Sequence, residues 1–201
     1  MPVWGKTVRI TIFNTPVLSP ILRLLSIIIL GLLGWRAVGK VPKDMRKYVI
    51  IAAPHTSYWD FPMFLLVVFA LRLNLNVFIK HTLFIGPISW FLSYCGAVPI
   101  DRRAAGARVH QTVQEFDNND DMVLLITPEG TRSAQANWKS GFYHIASEAN
   151  VPIAVAFVDI VEKRAGIDHF FTPSGDLEKE MAEIKAFYDT KRGLKPNNYA
   201  S

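Results

Sequence analysis

The chain has 201 residues, enough for one domain with a substantial core and no need of covalent staples. Half of its residues are hydrophobic and its mean hydropathy is +0.20, high for a freely soluble protein. A single cysteine, Cys95, excludes an internal disulfide, and with no second Cys or closely spaced His pair beside it no structural zinc is expected.

The net charge of +5 is unevenly placed. Residues 1–50 carry eight bases against one acid, whereas the rest of the chain carries fourteen bases against sixteen acids. That basic segment is also the greasiest. An apolar run extends from Val17 to Trp35, interrupted by Pro20 and Arg23, so only the twelve residues Leu24–Trp35 are free of charge. A spanning helix needs roughly 20 apolar residues, so the run predicts a helix that dips into or lies in a bilayer interface. Its bases suit an anionic lipid surface, where each contributes about 1 kcal/mol. A nucleic-acid partner is not expected, because it would leave the apolar run without a role. A buried core helix is the competing reading. A signal peptide fits poorly, since Trp35-Arg36 ends the run with no small-residue cleavage site.

After the polar linker at Lys43-Asp44 the pattern alternates between strand and helix. Tyr48–Ala53 reads as a buried strand ended by Pro54, and Phe61–Leu71 as an apolar helix. A strand is expected near Leu75–Ile79, a short helix over Pro87–Tyr94 and a short strand over Ala97–Ile100. Ala104–Phe116 places Val109, Val113 and Phe116 at helical spacing. Met122–Thr127 is a second buried strand, stopped by Pro128; Lys139–Ala149 reads helical and Pro152–Val158 as a further strand. Leu177, Met181, Ile184 and Phe187 mark one face of a last helix, with Asp176 as its N-cap. Alternation of this kind predicts a single α/β domain with a largely parallel central sheet covered by helices, preceded by an N-terminal membrane-interacting helix. The expected division is 1–40 for the membrane-interacting segment, 41–190 for the α/β domain and 191–201 for a polar tail.

Three clusters hold chemistry. Pro54-His55-Thr56-Ser57-Tyr58-Trp59-Asp60 follows a buried strand, where open α/β sheets place their sites. Five residues do not align two side chains on a continuous helix, but a loop entering a helix brings them together. Asp60 would then fix one ring nitrogen of His55 and leave the other free to take a proton. Read separately, Asp60 is an ordinary helix N-cap and His55 a satisfied loop histidine. Thr127-Pro128-Glu129-Gly130-Thr131-Arg132-Ser133 also follows a buried strand; Gly130 permits a tight turn and Arg132 offers a fork for phosphate. A strand-end turn tied by Glu129 and Arg132 explains the glycine but not the gathering of anion-binding groups. In Gly96–Arg103, the adjacent Arg102 and Arg103 either clamp a phosphate or open the next helix as solvated residues.

Together these clusters resemble the glycerolipid acyltransferase family, which includes the lysophosphatidic acid acyltransferases, and most of all its short bacterial branch. The likeness covers roughly residues 35–160, in the family's order. His55 and Asp60 match its H-x-x-x-x-D box, Gly96–Arg103 its second block, Glu129-Gly130-Thr131-Arg132-Ser133 its E-G-T-R-S block, and Val151-Pro152-Ile153 its fourth, an apolar Pro-containing strand. Trp138-Lys139-Ser140-Gly141-Phe142 resembles the basic helix start that follows the third block. Thr127 stands where many relatives have Phe.

The resemblance implies that His55, held by Asp60, deprotonates an acceptor hydroxyl, which attacks the thioester of an acyl-CoA or acyl-carrier protein. It implies that Arg132, with Arg102 or Arg103, holds the acceptor's phosphate together with Gly130 and Thr131, and that Glu129 orients that arginine or binds an acceptor hydroxyl. Val151, Pro152 and Ile153 become candidates for the acyl pocket. The acceptor expected first is 1-acyl-sn-glycerol-3-phosphate, giving phosphatidic acid. The implied location is the cytoplasmic face of the inner membrane, with membrane lipids and the acyl donor as partners and no bound cofactor.

His81, His110, His144 and His169 lack partners at ligand spacing, so no metal site is expected. An amino-acid-headed lyso-lipid, such as an ornithine or glycine lipid precursor, is the alternative acceptor. Metal-dependent phosphoester hydrolysis through His55, Asp60, Asp101 and Glu129 is disfavoured by the separation of its carboxylates. A non-catalytic membrane lipid-binding scaffold is disfavoured by the intact His–Asp and E-G-T-R-S blocks.

Overall fold

Two long runs of apolar residues dictate the centre of the molecule. A computed structural model describes residues 10–101, 105–130 and 138–195, and of residues 105–108 the backbone alone. In chain order it contains α1 (Leu18–Leu32), β1 (Arg36–Val38), β2 (Lys47–Ala53), α2 (Asp60–Leu71) and β3 (Leu75–Lys80). A 3-10 turn (His81–Leu83) leads to α3 (Gly86–Tyr94), β4 (Ala97–Ile100), α4 (Ala105–Asn118) and β5 (Met122–Ile126). The remainder is α5 (Gly141–Glu148), β6 (Ile153–Asp159), β7 (Arg164–Phe171) and α6 (Leu177–Asp189).

The strands form one seven-stranded sheet in the order β1-β7-β6-β2-β5-β3-β4. From β6 to β4 all neighbours are parallel; β7 returns antiparallel to β6, and β1 runs parallel to β7. Strands β2 and β6 are buried almost throughout, as strands covered on both faces must be. Their period of two divides the core. Val49, Ile51, Ile153 and Val155 pack against α5 and α6, with Phe142, Tyr143, Ile184 and Tyr188. Tyr48, Ile50, Ala154 and Ala156 face the other way, toward Val68 of α2. Tyr188 fastens α6 to the sheet: its buried hydroxyl shares one proton between the carbonyls of Ala156 in β6 at 2.7 Å and Ile51 in β2 at 3.0 Å.

Every helix and strand expected after Lys43-Asp44 is present within two residues at each end, and the N-terminal helix stops at Leu32, three residues before Trp35. Two strands escape the pattern. The three-residue β1 is too short to carry a period, and β7 interleaves Arg164, Asp168 and His169 with its apolar positions. Asp176 caps α6 by accepting from the Lys179 N–H. Of α1, only Ser26 and Leu30 are buried, which removes the core-helix reading. Among the described residues no helix is long and apolar enough to cross a membrane. Residues 191–195 do not trail away from the domain. Gly193 is buried against the loop after β2, and the Lys195 N–H donates to Thr56 Oγ1 at 3.0 Å.

Candidate active site

Because β2 and β5 are parallel neighbours, the loops that follow them lie side by side at one end of the sheet. The first loop carries His55 and the second Glu129. The chain leaves β2 through a cis Ala53-Pro54 bond and enters α2 at Asp60. Trp59, not Asp60, occupies the N-cap position, and Pro62 sits in the first turn, where its missing N–H costs nothing. An acid in that turn is also favoured by the helix dipole.

Asp60 uses one oxygen three times. Its Oδ2 accepts from the Thr56 N–H at 2.6 Å and the Ser57 N–H at 2.7 Å, and lies 3.0 Å from His55 Nδ1. The two amides fix the carboxylate, and the carboxylate fixes the imidazole. With Nδ1 holding its proton toward Asp60, Nε2 is the nitrogen left with a lone pair to accept one. The His55 side chain is about one quarter exposed, at 27%, so a substrate reaches it, while Asp60 is buried beneath it.

The second loop holds the first by its backbone. Both oxygens of Glu129 accept from the His55 N–H, at 2.9 and 3.2 Å. Glu129 is only 4% exposed, and burial pushes its carboxyl from 4.5 up to about 7. The His55 N–H and the His55 ring oppose that rise, while the Asp60 charge adds to it. Gly130 follows with φ +67°, a left-handed conformation that disfavours a side chain. The Lys139 side chain lies over it, close enough that a Cβ on Gly130 would meet Nζ at 2.8 Å.

An apolar cavity of about 220 Å³ opens beside His55 and Asp60. Its floor is the sheet, where Ala52, Ala53, Ala156 and Gly166 leave space that larger residues would fill. Phe61, Phe64 and Val67 of α2 form its roof. The sequence-based candidates Val151, Pro152 and Ile153 are not among its lining residues. They stand at the start of β6, Val151 and Ile153 in the core beneath α5 and α6, while the cavity takes Ala156, Phe157 and Val158 from the strand's other end. Of the anion-binding candidates, Glu129 and Gly130 are placed as described; Arg102, Arg103, Thr131 and Arg132 lie outside the described residues. Sequence reasoning gave no role to Gly193 or Lys195, which hold the loop after β2, or to Tyr188, which holds the strands that lead to it. A buried tyrosine and a glycine after the last helix were the available signals. Nor did it foresee that Glu129 reaches the His55 backbone.

A histidine steadied by a buried carboxylate, at the mouth of an apolar cavity, suits removal of a proton from a hydroxyl near a substrate with a long apolar part. The chain belongs to the acyltransferase family, whose model matches residues 37–158. It is 32% identical over 116 residues to the 1-acyl-sn-glycerol-3-phosphate acyltransferase of Streptococcus pneumoniae (strain ATCC BAA-255 / R6). That alignment takes in 57% of this chain and 42% of the relative, so the match spans less than half of the relative's length. The structure of the 1-acyl-sn-glycerophosphate acyltransferase from Thermotoga maritima superposes with a TM-score of 0.59 at 18% identity. That superposition covers 85% of this chain and 76% of the other, and it bears on the fold.

Proposed function

We propose that the protein transfers a fatty acyl group from acyl-CoA or acyl-carrier protein to the free hydroxyl of a lysophospholipid, first among them 1-acyl-sn-glycerol-3-phosphate. The observation that carries this reading is the His55 Nδ1–Asp60 Oδ2 contact of 3.0 Å at the mouth of the apolar cavity. Nε2 of His55 takes the hydroxyl proton as the acceptor oxygen attacks the thioester carbonyl. The new ester C–O bond forms, the C–S bond breaks, and the proton on the imidazolium passes to the departing thiolate. General base catalysis of this kind contributes typically about 10²–10⁴-fold. The cavity suits an acyl chain, having almost no polar lining beyond His55, Asp60 and Thr127. Arg132, with Arg102 or Arg103, is assigned to the acceptor's phosphate on the strength of its sequence block, and Lys139 beside Gly130 adds a cation there.

The protein works at a membrane, on the cytoplasmic face where its donor is found. Exposed apolar residues lie along most of α1, and its fifteen residues, about 22 Å long at 1.5 Å each, fall short of the roughly 30 Å hydrocarbon core. It therefore enters one leaflet without crossing the bilayer. The test is transfer by purified protein from labelled acyl-CoA and acyl-carrier protein to a panel of lyso-lipids. Product on lysophosphatidic acid supports the reading. Product on amino-acid lyso-lipids alone keeps the chemistry and changes the acceptor, and no product on any acceptor overturns it.

A further inference from the structure

We propose that Thr56 is a positioning residue for the base, acting through its hydroxyl, which joins the catalytic loop to a strap that follows α6, Arg192–Lys195. The role in catalysis rests on the acyl-transfer reading; the strap itself rests on contacts made within the folded chain.

The loop from Pro54 to Trp59 is held only along its inner half. Tyr58 and Trp59 are 77% and 72% exposed, whereas Thr56 and Ser57 are buried. That inner half decides where Asp60 points. Thr56 and Ser57 give their amides to Oδ2, the same oxygen that faces His55 Nδ1. Oδ1 is buried without a hydrogen-bond partner among the described residues. A carboxylate gripped at one oxygen follows whatever grips it, so a shift of the two amides becomes a shift of the imidazole. Misplacement of a catalytic group by about 1 Å can cost about 10²-fold in rate.

What holds Thr56 in turn comes from the far end of the chain. After α6, which packs on the α5 side of the sheet, the chain crosses the end of β6 to the α1–α2 side. Three contacts fix the crossing. The Arg192 carbonyl accepts from the Ile160 N–H, one residue past β6, at 2.8 Å. Gly193 is buried against the loop, where a Cβ would lie 2.6 Å from Thr56 Oγ1 and 3.2 Å from Pro54 Cγ. Leu194 packs on the cluster that holds Leu30 and Trp35, around the end of α1, together with Val67 of α2. Pinned on both sides, the strap donates the Lys195 N–H to Thr56 Oγ1 at 3.0 Å. Contacts therefore run unbroken from Lys195 through Thr56 and Asp60 to His55 Nδ1. Valine would keep the shape of this threonine and lose the acceptor; serine would keep the acceptor.

The experiment uses the full chain in detergent and compares Thr56→Val, Thr56→Ser, Leu194→Ala and the pair Thr56→Val with Leu194→Ala. Each is assayed for transfer from acyl-CoA to lysophosphatidic acid, and by proton NMR for the hydrogen-bonded Nδ1–H of His55. Thr56→Val should lower kcat at least about tenfold, leave both KM values within about twofold, and shift the His55 resonance. Thr56→Ser should restore kcat to within about threefold of wild type. Leu194→Ala, which removes the strap's apolar anchor, should lower kcat about threefold alone and cost nothing further beside Thr56→Val, because both act through one contact. A folded Thr56→Val or Leu194→Ala protein with wild-type kcat and resonance overturns the proposal. So does a serine variant as slow as the valine one, a change in KM alone, or effects that add in full. Wild-type protein that shows the resonance, shifts it in Thr56→Val and transfers to no acceptor would refute the acyl-transfer reading and leave the strap standing.

Discussion

Replacing Glu129 by Gln should stabilise the protein above neutrality and change little in mild acid. Glu129 is almost wholly buried, and burial raises its carboxyl from 4.5 to about 7 against the opposing pull of the His55 N–H. A folded-state value above the unfolded one means that the folded protein holds an extra proton between those two values. Stability is therefore highest below about pH 4.5, falls as pH rises through the window, and levels off above about pH 7. At 1.36 kcal/mol for each unit, a rise of roughly 2.5 units amounts to about 3 kcal/mol at most. Glutamine keeps an oxygen for the His55 N–H and has no charge to desolvate, so its stability should be nearly flat across the range. Denaturant unfolding of both proteins in detergent, from about pH 5 to pH 8.5, measures the difference. The curves should converge at the acid end and separate toward about 3 kcal/mol at the alkaline end, with the variant more stable. Curves that stay parallel throughout would refute the account of a carboxylate held against its own desolvation.

Three further perturbations address the site. Asp60→Asn removes the charge that orients His55, and should lower kcat about 10³-fold with both KM values within about threefold; steady-state kinetics separate this from a binding role. Gly193→Ala places a Cβ 2.6 Å from Thr56 Oγ1, and Thr56 donates its N–H to Asp60. It should cost about 1–3 kcal/mol of stability and lower kcat about tenfold, read by thermal unfolding beside the transfer assay. Ala156→Phe fills the cavity floor, and competition between acyl-CoA chain lengths should shift the preference to chains roughly two or more carbons shorter.

The architecture was legible wherever one element carries one pattern. MVLLI and YVIIAA announce central strands because nothing polar interrupts them, and Leu177, Met181 and Ile184 keep a helical face. Strand β7 was not legible, since only its first three residues pair with β1, and beyond them Asp168 and His169 are mixed into its apolar positions. The His55–Asp60 pair was readable as a possibility, because strand, proline and helix start fix where the chain turns. What carries the pair is tertiary and left no local trace. Glu129 comes from a loop 74 residues away, and Lys195 reaches Thr56 across 139. Val151, Pro152 and Ile153 lie away from the cavity, whereas Phe61–Phe69 of α2, an equally apolar stretch, supplies much of its lining. Both ends of β6 are apolar, and only packing shows that Ala156, not Ile153, faces α2.

The central claim is that His55 acts as the base for acyl transfer to a lipid hydroxyl. Single-turnover transfer of a labelled acyl group to lysophosphatidic acid in phosphatidylglycerol-containing vesicles, comparing wild type with His55→Ala, tests it most directly. The account predicts a loss of about 10²–10⁴-fold in the variant, with vesicle binding and thermal stability unchanged. Transfer within about tenfold of wild type by folded, membrane-bound His55→Ala protein would contradict it.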